Sequence, residues 1–508
     1  MSEFATILEL LGAGAATAPA IGAPGAPDLG FGALRAQIDA TGAALNAVGI
    51  GRDDRVAIVL DNGPQMAAAF LGVACAATAA PLNPAYREEE FEFYLTDLRA
   101  RLLLVQSGLE SPALRVAERL GIAVVDLVPR AGGPAGSHDL VPRTRGSATL
   151  RSAGPAQADD IALILHTSGT TSRPKIVPLS HRNVATSAAN VAATLAFGAA
   201  DRGLNIMPLF HIHGLIAGLL APLSAGGSVH CTPGFNALKF FGWMDEVRPT
   251  WFTAVPTMHQ AILTRAAQNR EVIARHPLRF LRSSSASMPT QVIRELEQAF
   301  GAPLVESYGM TEAAHQMCSN PLPPGTRMPG TVGPAAGPEV AIMDEAGTLL
   351  APGATGEIVI RGANVTAGYE NNPSANAEAF TGGWFRTGDQ GTMDAGGYVT
   401  ITGRLKEIIN RGGEKISPRE VDEVLMDHPA VLQVVTFGIP HAKLGEEVGA
   451  ALVLREGHAA TEQDIRAFVS ARLADFKVPR RILFLPEIPK GATGKLQRIG
   501  LAQKLGLG

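Results

Sequence analysis

The sequence predicts an α/β fold (α+β overall), with a large N-terminal domain of stacked, mostly parallel sheets and helices plus a β-rich subdomain, and a small mobile C-terminal α+β domain. Three observations predict it. Short apolar runs alternate with helical patterns along the first part of the chain, 508 residues exceed what a single core serves, and roughly the last hundred residues carry an apolar set of their own.

The runs at 56–60, 102–105, 122–128 and 161–165 read as buried strands, and 65–80 and 291–299 as helices. Residues 131–157, rich in Gly, Pro, Ser and Ala, read as a surface connection. The β-type segment GGYVTITGR leads to a boundary near 402–406, so the domains are drawn as 1–403 and 404–508. Beyond it, helices are expected at 418–426 and 461–473, and strands at 431–437 and 450–454.

Composition narrows the function. A net charge of -4 offers no basic surface to nucleic acid or anionic lipid. Cys75, Cys231 and Cys318 lack metal-ligand spacing and read as free thiols in a reducing cytoplasm. The N-terminus lacks the basic start of a signal peptide. The most apolar stretch, 66–80, reads as a buried helix ending at Pro81, too short to span a bilayer.

Four segments carry groups suited to nucleotide chemistry. HTSGTTSRPK at 166–175 follows an apolar run; Thr167, Ser168, Gly169, Thr170, Thr171 and Ser172 supply hydroxyls and backbone N–H groups that can wrap a polyphosphate, and Lys175 adds a point charge. The spacing is not that of a Walker loop, and a Ser/Thr-rich turn is the plainer reading of the segment alone. ESYGMTE at 306–312 offers the flat face of Tyr308 to a base, the Thr311 hydroxyl to a phosphate and the hard oxygens of Glu312 to the Mg²⁺ that accompanies ATP; by itself it also fits a helix start. GWFRTGD at 383–389, with GRLK at 403–406, offers Asp389 to a ribose diol and Arg404 as a second contact, although Gly-Asp turns are common. PKGATGKLQR at 489–498 carries Lys495 after a Gly-rich stretch, where it could offset charge between a carboxylate and an α-phosphate or be an exposed basic tail.

In this order, over almost the whole chain, these motifs resemble the adenylate-forming superfamily of acyl-CoA synthetases, luciferases and peptide-synthetase adenylation domains. The resemblance implies ATP, Mg²⁺ and coenzyme A, and a small carboxylate as the remaining partner. It implies that 167–175 binds phosphates, that Ala286 and Tyr308 flank adenine, and that Glu306, Gly309 and Met310 lie beside it. Thr311 would touch the α-phosphate, Glu312 hold Mg²⁺, and Asp389 and Arg404 bind ribose. Lys406 would be the hinge and Lys495 the lysine of adenylate formation. Gly412 and Gly413, in NRGGEKISP at 410–418, would admit the CoA thiol, since glycine has no Cβ to block a tunnel.

Within the superfamily, the sequence is most similar to oxalate–CoA ligases, through Ser172 in the hydroxyl loop, PLFHIHG at 208–214, RSSSAS at 282–287, MTEAAH at 310–315 and NRGGEKISP. That group implies that Ser285 and His315 hold a second carboxylate. The residue types agree: a short dianion needs donors at its far end, and His211, His213, Ser285 and His315 supply them. His211 also matches a gating position common to the superfamily, His213 reads equally as a core residue, and His315 is expected three residues past Glu312 on one helix face. His166 has no assigned role. A medium-chain, aryl or other short dicarboxylic acid is the alternative substrate, and a non-catalytic nucleotide-binding protein the alternative class. One departure stands out: Ile176 follows Lys175 where many relatives have Gly, so the loop must exit in extended conformation, or its phosphate binding is altered.

Overall fold

The structure, a computed structural model, describes residues 4–144, 150, 152–167, 174–490 and 496–507. Two large sheets form the N-terminal domain. One has seven strands in the order His138–Pro142, Ala123–Pro129, Leu102–Gln106, Arg55–Val59, Thr78–Pro81, Ile161–His166 and Ile176–Ser180. The other has eight: His315–Ser319, Leu304–Met310, Phe280–Ser283, Trp251–Ala254, Arg202–Asn205, Ser228–Cys231, Pro19–Ala23 and Ala26–Gly30. In both, the inner pairings are parallel and the edge strands antiparallel. In the seven-stranded sheet the inner strands RVAIV, LLLVQ and IALILH are largely apolar because both their faces are covered.

Helices Pro64–Ala76 and His181–Thr194 touch strands of both sheets and so lie between them. That position explains a helix buried at every residue from Met66 to Cys75. Pro64 starts it, where the missing N–H costs nothing. The helix expected to run to residue 80 ends at Ala76, and Thr78–Pro81 is a strand. Alanine pattern alone does not separate the two, since both elements are buried all round. Likewise, the expected connection at 131–157 contains the edge strand His138–Pro142.

A third, antiparallel sheet is built from Glu339–Met343, Thr355–Arg361, Phe380–Thr381, Trp384–Met393 and Val399–Arg404. The smaller C-terminal domain has a sheet of its own: Ile409–Arg411, Glu414–Ile416, Val431–His441, Gly445–Leu454 and Arg481–Phe484. Helix Pro418–Met426 lies where the apolar period sets it, capped by the Ser417 side chain; helix Glu462–Ser470 is capped by Thr461 and is shorter than expected. Among the described residues, no helix is long and apolar enough to cross a membrane. All three cysteines are buried, and burial pushes each thiol up to about 12.

Candidate active site

The loops at the carboxyl ends of the parallel strands carry the expected chemistry, as is usual in open α/β sheets. From the seven-stranded sheet, strand Ile161–His166 delivers Thr167, and the chain returns at Lys175. The two are tied across the loop: the Thr167 N–H donates to the Lys175 carbonyl (3.0 Å) and the Lys175 N–H to the Thr167 hydroxyl (3.3 Å). Ser168, Gly169, Thr170, Thr171 and Ser172 lie outside the described residues, as does Lys495. Ile176 opens the next strand opposite His166 and is buried, so the loop exit is extended, as its β-branched side chain requires. His166 meets the Asp97 carboxylate at 3.0 Å and packs edge-on against Tyr94, a structural role.

From the eight-stranded sheet, strand Leu304–Met310 carries Glu306, Tyr308, Gly309 and Met310, and Thr311 and Glu312 follow in one 3₁₀ turn. The expected helix through Glu312 and His315 is absent: the chain turns at Ala314 and returns as strand His315–Ser319, paired antiparallel with its predecessor. Gly309 is required there, because a Cβ would meet the His315 carbonyl oxygen at 1.9 Å. Glu306 is buried and accepts from the Gly330 N–H at 3.0 Å; burial pushes its carboxyl up to about 8, so it holds a proton at neutrality.

Two tyrosines organise the charged groups. The buried Tyr308 hydroxyl donates to Asp389, whose other oxygen accepts from Arg404 Nε at 3.1 Å. Asp389 and Arg404 are facing partners on adjacent strands, which fixes that pair. Tyr369, which sequence reasoning passed over, donates its hydroxyl to Glu312 Oε1 (2.8 Å), and the Lys175 ammonium sits 4.4 Å from the centre of its ring. It therefore brings together groups 137 residues apart (312 − 175). Burial raises the Glu312 carboxyl above its ordinary range, which a nearby cation would offset. Ala286 is exposed at the mouth of the strand Phe280–Ser283.

The third cluster is polar and closed. His213 is fully buried; its Nδ1 lies 3.1 Å from Ser285 Oγ and its Nε2 2.7 Å from Thr253 Oγ1. The His213 and His315 rings stack, 5.0 Å between centres. His213 opens a π-helix, His213–Leu220, a geometry concentrated at functional sites, and His211 stands half-buried just before it. Ser285, Ala314 and His315 have φ of +74°, +47° and +106°. Left-handed backbone at non-glycine residues costs energy and gathers at ligand sites. Arg282, also missed from sequence, ends in this cluster, with Nη2 3.0 Å from His315 Nε2 and Nη1 3.3 Å from His213 Nε2. The signal was available: an arginine inside the apolar strand FLRS.

The model of the AMP-binding enzyme family matches residues 14–370, and that of the AMP-binding enzyme C-terminal domain matches 420–495. The chain belongs to the AMP-binding enzyme family. An oxalate–CoA ligase of Arabidopsis thaliana is 48% identical over 463 residues, covering 90% of this chain and 89% of the relative. An oxalate–CoA ligase of Saccharomyces cerevisiae is 42% identical over 476 residues, covering 89% and 87%. The crystal structure of ATP-bound MatB from Rhodopseudomonas palustris superposes with a TM-score of 0.87 at 30% identity, covering 100% and 98%. The enzyme is thus an adenylate-forming CoA ligase, for which ATP and CoA are substrates.

The remaining expected residues lie on the path to the C-terminal domain. Lys406 is exposed in the turn that follows strand Val399–Arg404. Gly412 and Gly413 form the exposed tip of the hairpin Ile409–Arg411 to Glu414–Ile416, with φ of +62° and +100°. Positive φ at both central residues is what a two-residue hairpin turn demands, so the glycines are needed for the turn itself. Arg419 reaches back from the C-terminal domain to the carbonyls of Ile401 and Gly330, the latter at 3.3 Å.

Proposed function

We propose that this enzyme is an oxalate–CoA ligase: oxalate attacks the α-phosphate of ATP, pyrophosphate leaves, and the CoA thiolate then displaces AMP from the oxalyl-adenylate. The observation that carries the choice of acid is the hydrogen-bonded patch of His213, Ser285, His315 and Arg282, a far-end lining for a second carboxylate where a fatty or aryl acid would need apolar walls. The relatives named oxalate–CoA ligase support the same reading.

The roles follow from the charges. Lys175 and the loop 167–175 cradle the phosphates, and Tyr308 with Ala286 holds adenine, with Glu306, Gly309 and Met310 at its edge. Asp389 keeps acceptor capacity for a ribose diol beyond its bonds to Tyr308 and Arg404. Mg²⁺ arrives with ATP as substrate. Among the described residues there is no cluster of three ligating side chains, and the buried Glu312 carboxylate, which follows Thr311 in the chain and accepts from the Tyr369 hydroxyl, suits an ion that keeps phosphate and water ligands. Residues 1–403 bind the adenylate. Residues 404–508 turn about Lys406, exchanging Lys495 for the Gly412–Gly413 tip between half-reactions, with His211 at the gate between acid and thiol.

Pyrophosphate release, followed with oxalate, malonate, succinate, a fatty acid and an aryl acid side by side, tests the reading. Oxalate is expected to give the highest kcat/KM, with CoA required for turnover; silence with oxalate beside vigorous release with hexanoate or coumarate would end it. Tyr369→Phe keeps the ring under Lys175 but removes the hydrogen bond to Glu312. Its KM for MgATP is expected to rise about three- to tenfold, the net weight of one ordinary intramolecular hydrogen bond. An unchanged KM in a pyrophosphate assay would separate Tyr369 from the metal-bearing carboxylate.

A further inference from the structure

Arg282 is 0% exposed, and among the described residues no carboxylate accompanies it. None of its hydrogen-bond neighbours is an anion: they are the two imidazoles, Thr253 Oγ1 at 3.5 Å and Gln316 Oε1 at 3.5 Å. Its Nε has no hydrogen-bond partner. Burial lowers its pKa to about 9, so it remains cationic at neutrality. A buried cation without an anion is costly, and natural cores avoid it unless a ligand completes the pair.

The donors run in one direction. A guanidinium has no acceptor, so His315 Nε2 must receive the bond from Arg282, and the neutral ring then carries its proton on Nδ1. At His213, Nε2 faces Arg282 and the Thr253 hydroxyl, which itself faces Arg282. With that nitrogen as acceptor, Nδ1–H donates to Ser285 Oγ, leaving the serine proton for a further acceptor. The reverse tautomer would consume that proton and turn serine lone pairs towards the substrate, repelling a carboxylate.

We propose that Arg282 is a positioning and specificity-determining residue, which orients His213, Ser285 and His315 as donors to the distal carboxylate of the acid and whose buried charge that carboxylate completes. The proposal deepens the oxalate reading and rests on it. Arg282 need not touch the acid, since it acts through the two rings. Nor is it a generic scaffold residue, because a scaffold cation would have its own counter-ion.

The test uses the full-length enzyme with oxalate and with oxamate, in which one carboxylate becomes a neutral amide of the same shape. In R282Q the preference for oxalate over oxamate, read as kcat/KM or as competitive binding, is expected to shrink at least about tenfold, while the KM for ATP stays within about threefold. Equal loss towards both acids, with the preference intact, would reduce Arg282 to a structural role and overturn the proposal. The ¹⁵N shifts of histidine in the unaltered enzyme give a readout independent of whether R282Q folds. A protonated Nδ1 and an acceptor Nε2 are expected for His315; a protonated Nε2 would overturn the proposal. Absence of oxalate turnover in the unaltered enzyme would defeat the substrate reading instead, and the same comparison would then be made with the preferred dicarboxylate and its half-amide.

Discussion

Replacing Lys495 with alanine is expected to slow adenylate formation by about 10²- to 10³-fold, the usual weight of one group aimed at developing transition-state charge. The first half-reaction brings a carboxylate onto a polyphosphate, and Lys175 with Mg²⁺ offsets only part of that charge. The second half-reaction attacks an anhydride already activated, and in the proposed domain rotation the Gly412–Gly413 tip replaces the lysine. Thioester formation from supplied acyl-adenylate is therefore expected to stay within about threefold of the unaltered enzyme, since only an interaction made in the first transition state is lost. Rapid-quench measurement of the two steps decides the matter, and equal damage to both would contradict a scheme of two alternating domain orientations.

His315→Ala is expected to lower kcat/KM for oxalate by about 10- to 200-fold, the cost of losing a hydrogen bond to a charged group and leaving Arg282 without its partner ring. The affinity for ATP, held by other elements, should be little changed. Steady-state kinetics with oxalate and a binding titration with ATP read the two separately. An unaltered kcat/KM with oxalate would remove the polar-pocket argument, whatever the enzyme's true acid.

Much of this site was legible in the sequence because its parts are local. The Tyr-Gly-Met-Thr-Glu run and the Asp389–Arg404 pair are short segments whose residue types suit nucleotide chemistry, and the Tyr308–Asp389 hydrogen bond joins them, whereas most of the hydroxyl loop lies outside the described residues; the parallel sheets follow from apolar runs that cannot be half-exposed. What escaped depends on long-range contact. Tyr369 matters only because a fold brings Lys175 and Glu312 to its two sides. Arg282 stands out inside the apolar strand FLRS, but its partner rings, His213 and His315, are 69 and 33 residues away, and only the fold brings them to it. The three-residue spacing of Glu312 and His315, with Glu-Ala-Ala between Thr311 and His315, suits a helix, and pairing with the preceding strand overrides that local preference at Ala314. The error mattered little to the assignment, since the turn still brings His315 into the cluster, but it changed the reason.

In the proposed reaction an oxygen of oxalate attacks the α-phosphate of ATP, and the fate of that oxygen separates this route from every other. With fully ¹⁸O-labelled oxalate, ATP and CoA, mass spectrometry is expected to find one labelled oxygen in the AMP released and none in the pyrophosphate. Unlabelled AMP, or ADP and phosphate as the products, would contradict it.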